Sequence, residues 1–159
     1  MATLLTFFLA AAAGSSGVDV GKQLVAAMKS GDGARIRALL AEVGAEPTKT
    51  TVEIVLRIGV EHPSHEVYAA VRQTLAAVRG AEAIAAIGKT LAQQKDERMR
   101  TLALFALEDI PVEAAVSHLE ARLKDKDQAL AIRAARALGG KPFKSAVTAL
   151  VGILPAAEK

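Results

Sequence analysis

The sequence predicts an all-α protein, a right-handed solenoid of stacked antiparallel helix pairs, about four and a half repeats long. Three observations carry this. Hydrophobic residues make up 52% of the 159 residues but aromatics only 3%, so the core must be aliphatic and rich in alanine, the best helix former. Four residues of the helix-capping kind, Asp32, Ser64, Asp96 and Asp127, follow one another at intervals of 32, 32 and 31 residues. Behind each cap the same apolar columns recur. Leu39, Val71, Ala103 and Ala134 stand seven residues on, and Val43, Leu75, Leu107 and Leu138 eleven on. Later in each unit come Val52, Ile84, Val116 and Val147, then Val55, Ile87, Leu119 and Leu150. In so apolar a chain single columns match by chance; four caps followed by two matched helices do not.

The 3.6-residue period places the elements in order. An outer series falls near 18–29, 48–59, 81–93, 112–124 and 143–154, and an inner series near 33–44, 65–79, 97–109 and 128–139. Turn chemistry separates them at Ser30-Gly31-Asp32-Gly33, His62-Pro63-Ser64, Gly80, Ile110-Pro111 and Gly139-Gly140-Lys141-Pro142. A unit of two helices cannot bury both its faces alone, so neighbours must stack. The helix at 143–154 has no inner helix after it before Pro155. Its Ala146, Val147, Leu150 and Leu154 are expected to pack on the fourth unit. Its other face is expected to stay open, whether for a longer array or for self-association.

The first residues differ from the rest. Leu4 to Ala13 is apolar except for Thr6, no charge appears before Asp19, and Ala11-Ala12-Ala13 precedes Gly14. Residues 1–13 are therefore expected to be a secretory signal peptide, with 14–159 a single solenoid domain that is periplasmic or secreted. A Lys or Arg near the N-terminus, usual in such signals, is missing. A first helix packed on the solenoid end, in a cytoplasmic protein, and an uncleaved anchored segment remain open readings. The run is too short to span a bilayer, so no stable membrane insertion is expected.

The residues LEARLKDKDQALAIRAARALGGKPFKSAVTALVGIL resemble a HEAT repeat of the short bacterial kind, related to those of the phycobilisome-lyase group. The resemblance rests on the outer helix ending Leu-Lys-Asp, the cap Asp127, the Leu130/Ala134/Ala137/Leu138 pattern and the closing Gly139. The preceding copy, KDERMRTLALFALEDIPVEAAVSHLEARL, fits nearly as well, and the likeness extends over roughly 18–154. The family often carries Arg one residue after the first apolar position of the inner helix. Here that position holds Arg100 in one copy but Ala131, Tyr68 and Ile36 in the others, so a continuous Asp–Arg ladder between repeats is not expected.

The resemblance implies inner helices lining a concave face. Positions expected to point outward there, into solvent, collect Arg37, Arg72, Arg100, Arg133 and Arg136, with Glu66 and Glu97 the main acids and Tyr68, Leu104 and Phe105 adding apolar area. The expected function is a non-enzymatic scaffold binding a partner polypeptide, an acidic or amphipathic segment, on that face. The alternative is a lyase-like accessory protein handling a chromophore or a cofactor-bearing partner.

Other chemistries find little support. With no Cys there are no thiolate metal sites or thiol nucleophiles. His62 and His65 lack a third ligand, so no metal is expected, and no catalytic residue or cofactor motif stands out. His118 lies beside Val116 and Leu119 and is read as a partly buried structural histidine. A net charge of +3, no Trp and one Tyr speak against nucleic acid.

Overall fold

The computed structural model describes residues 17–44 and 47–153, and the expected signal peptide lies outside them. Among the described residues the chain forms α1 (Gly17–Ser30), α2 (Gly33–Val43), α3 (Lys49–Glu61), α4 (His65–Ala76) and α5 (Ala81–Gln93). There follow α6 (Glu97–Asp109), α7 (Ala114–Glu120), α8 (Gln128–Gly139) and α9 (Lys144–Val151), with no strand. Odd-numbered helices pack in chain order into one layer and even-numbered helices into the other, the two helices of each pair (α1 with α2, α3 with α4, α5 with α6, α7 with α8) also packing on each other. That two-layer stack is an α-solenoid.

The four spaced caps start the inner helices α2, α4, α6 and α8. Asp32 accepts the backbone N–H of Arg35, Ser64 that of Val67, Asp96 those of Arg98 and Met99, and Asp127 those of Ala129 and Leu130. Each side chain thereby satisfies donors that a helix start leaves without partners. In the outer layer Thr48 and Thr51 form a reciprocal capping box at the start of α3. The turn after α1 is a Schellman motif. Gly31 adopts φ 69°, its N–H reaching Met28 and that of Asp32 reaching Ala27, a conformation that glycine allows without strain.

Three helices are shorter than the periodicity predicts, among them α9, which covers 144–151 rather than 143–154. Helix α4 stops at Ala76 rather than 79: the N–H groups of Ala77 and Val78 tighten onto the carbonyls of Thr74 and Leu75, and the Arg79 guanidinium donates to the carbonyls of Ala76 and Val78 left at the end (2.7 and 2.9 Å). Helix α7 covers 114–120 rather than 112–124: its first residue follows an uncapping Glu113, and after Glu120 the chain turns, with Arg122 paired to Asp125 at 3.1 Å.

The inner-helix columns form the core. Leu39, Val71, Ala103 and Ala134 are all buried, as are Val43, Leu75, Leu107 and Leu138. Close approach demands glycine at two points. A Cβ on Gly59 of α3 would lie 2.6 Å from Leu102 of α6, and one on Gly88 of α5 would lie 2.5 Å from Cγ of His118. Half-buried His118 thus sits in a slot that Gly88 leaves open, and burial lowers its pKa.

Candidate functional site

The inner layer brings most of the expected surface residues together but uses them differently from expectation. At each junction between inner helices one arginine crosses to an acid. Arg37 of α2 pairs with Glu66 of α4, and Arg72 of α4 holds Asp109 at the end of α6 (Nε to Oδ2 2.9 Å). Arg100 of α6 holds Asp127, the cap of α8, at 3.1 Å. Of these only Arg100 occupies the position where the family often carries Arg. A three-rung ladder therefore exists after all, assembled from three different helix positions.

Arg72 and Arg100 are consequently not the open arginines expected, their side chains being 31% and 22% exposed. Burial disfavours the charge on Arg72, but the hydrogen bond and charge of Asp109, with a contribution from Tyr68, more than offset it and raise its pKa. Leu104 is likewise corrected from surface to core: it is fully buried. The reason is that α6 packs against α3, α4, α5, α7 and α8 at once, so its buried arc widens to take in Met99, Leu102, Ala103, Leu104, Ala106 and Leu107.

What remains accessible is centred on Phe105. Its half-buried ring has the guanidinium of Arg72 at 4.9 Å and that of Arg133, from α8, at 5.6 Å. Both lie within cation–π range, where the ring's negative face attracts the cation. Arg133 and Arg136 are exposed, and neither has an ion pair among the described residues. Glu66 is committed to Arg37, which leaves Glu97 as the exposed acid beside them.

Tyr68 is half-buried beside Arg72 and also forms one wall of a cleft of about 550 Å³, whose other residues include His62, Pro63, His65, Glu97 and Arg98. The sequence pattern gave no sign of this cleft, since it depends on which side chain crosses a junction. Nor did it single out Lys141. That residue sits in the α8–α9 turn, buried, and donates to the carbonyls of Glu108 and Ile110 at 2.7 and 2.5 Å. Burial lowers its pKa against the opposing charges of Asp109 and Glu108. With Arg72 it places two cations at the C-terminal end of α6, where the helix dipole favours them.

Among the described residues no group of three or more His, Asp or Glu could hold a metal. His62 is instead part of its turn, its Nδ1 accepting the N–H of Ser64 at 3.2 Å. No helix there is long and apolar enough to cross a membrane.

A two-layer α-solenoid with an open inner surface is an architecture of the protein-interaction scaffold type. The family model for HEAT repeats matches residues 52–139, more than half of the chain. The protein belongs to the HEAT-repeat family. No curated protein and no solved structure matches it.

Proposed function

We propose that the protein is a non-enzymatic scaffold whose inner layer binds an acidic or amphipathic segment of a partner polypeptide. One observation carries this: both Arg72 and Arg133 lie against the Phe105 ring, while Arg133 and Arg136 face solvent with no acid paired to them among the described residues. Guanidinium groups pair carboxylates bidentately and stack on rings, and a surface combining both suits a segment that alternates acids with apolar side chains. The remaining inner-layer cations of the expected surface are occupied in holding the repeats together, so Arg133 and Arg136 are the ones left to pair with a partner's acids.

The test is capture of partners from the native source by the mature chain and by its Arg133→Glu/Arg136→Glu variant. Loss of a specific partner, with helicity and melting preserved, supports the reading; undiminished capture by the folded variant overturns it. We also propose export of the chain with removal of residues 1–13. A native protein found by mass spectrometry to begin near Gly14 supports this, and an intact N-terminus on a cytoplasmic protein rejects it.

A further inference from the structure

The junctions between inner helices are sealed unequally, and the difference points to a ligand site. At the N-terminal ends of α6 and α8, Arg100 crosses to the cap Asp127, and only a crevice of about 50 Å³ remains. At the corresponding ends of α4 and α6, four residues after the cap, stands Tyr68 in place of that arginine. Among the described residues the corresponding cap, Asp96, uses its carboxylate on the backbone N–H groups of Arg98 and Met99 alone. Among the described residues no guanidinium crosses to an acid at this end, and about 550 Å³ stays open. The other end of the same junction is closed by Arg72 on Asp109, so the opening is local.

Its lining is specific in character. Gly59, Val60 and Leu102 supply apolar surface, while His62, Pro63, His65 and Tyr68 supply rings. Arg98 and Glu97 add one charge of each sign, and neither is in an ion pair among the described residues. An apolar pocket with a few polar groups at its edge is the usual form of a site for one anchoring side chain.

We infer that the cleft receives an aromatic side chain of the partner segment, whose neighbouring carboxylate pairs with Arg98. Glu97 accepts an N–H of the segment's backbone. This rests on the reading that the inner layer binds a polypeptide, and it adds where the anchor goes and which chemistry selects it. Tyr68 links the two parts. It lines the cleft and contacts Arg72, which lies over Phe105, so one extended segment reaches from the cleft to Arg133.

The experiment titrates the full chain with N-acetyl-phenylalanine, followed by amide chemical shifts in NMR. Shifts confined to 59–68 and 97–102, with millimolar affinity, are expected. Tyr68→Arg places a guanidinium four residues after Ser64, where it pairs with Asp96 as Arg100 pairs with Asp127; the shifts disappear while the melting temperature holds or rises. Arg98→Gln, a change at an exposed site, weakens the acid about tenfold but leaves N-acetyl-phenylalanine amide unaffected, the cost of one charge-assisted pair. Absence of localised shifts at about 10 mM probe overturns the inference. So does a folded Tyr68→Arg variant that binds like the wild type, or an amide that binds as tightly as the acid. If Arg133→Glu/Arg136→Glu loses its partner while the cleft takes no probe, the inference fails and the scaffold reading stands. If the cleft takes the probe but that double variant keeps its partner, the scaffold reading fails and the cleft remains an aromatic-acid site.

Discussion

Val116 of α7 and Val147 of α9 occupy the same column of the repeat, 31 residues apart, yet they are 3% and 59% exposed. In the same column Val52 and Ile84 are 1% and 0% exposed. The side chains are alike; the neighbours are not. In the interior, helices of the next unit pack on each outer helix, as α8 and α9 do on α7, whereas among the described residues α9 packs only on α7 and α8. Val151, on the same helix, is also exposed, while Ala146 and Ala149 are buried on the side facing the fourth unit. An apolar column in a repeat therefore states what a position is built to meet, and burial is conferred by the next unit.

The largest expected effect sharpens that contrast directly. Leu119→Ala, in the neighbouring interior column, removes a fully buried side chain and is expected to cost about 2–5 kcal/mol. Val147→Ala should change stability by no more than about 0.5 kcal/mol. Chemical denaturation of both variants checks this. Equal losses would mean that something covers α9 in solution, and the comparison would break.

The last unit is nonetheless fastened to the interior, and Lys141 does it. Lys141→Met keeps the length of the side chain but leaves the carbonyls of Glu108 and Ile110 without their donor, at an expected cost of about 1–3 kcal/mol. Amide exchange should quicken in α9 and at the end of α6 before it changes in α1 or α2. A uniform change along the chain would show that Lys141 does not act at this seam.

The helices, caps and inner-helix columns were legible in the sequence because each depends on local chemistry repeated four times; Val147, expected to pack on the fourth unit, is instead exposed, and Leu154 lies outside the described residues. Asp32, Ser64, Asp96 and Asp127 needed only their spacing. The roles of the inner-layer arginines were not legible in the same way. Arg72 reaches an acid 37 residues away and Arg100 one 27 residues away, and these partners depend on how successive units sit against each other. Leu104 was misplaced for a related reason: alternation along one helix does not reveal that five others surround α6. Arg133 and Arg136, on the last inner helix, kept the expected exposure because no later acid meets them among the described residues.

That distinction predicts a smaller, measurable split. Arg100→Glu sets a second carboxylate against Asp127 and should destabilise by about 1 kcal/mol, since partly exposed ion pairs are worth little more. Arg136→Glu should stay within about 0.5 kcal/mol. If both variants melt like the wild type, the Arg100–Asp127 rung contributes nothing to holding the third and fourth units together.

The smallest effect is a pH dependence confined to the interior. His118 fills the slot above Gly88, and burial lowers its pKa below the ordinary 6.5. The unfolded chain, with an ordinary imidazole, therefore takes up its proton at a higher pH than the folded one. Between the two values the unfolded state binds more protons, so stability is complete above about pH 6.5 and declines as pH falls toward the lowered folded value. Below both values this contribution changes no further. The melting temperature of the wild type minus that of His118→Gln should accordingly fall as pH is taken from about 7.5 to about 5. Amide exchange over the same range should quicken where α5 meets α7 and not in α9, which has no histidine. A variant that follows the wild type at every pH would show that the ring tolerates its proton in place, and that the α5–α7 seam is looser than the buried column beside it implies.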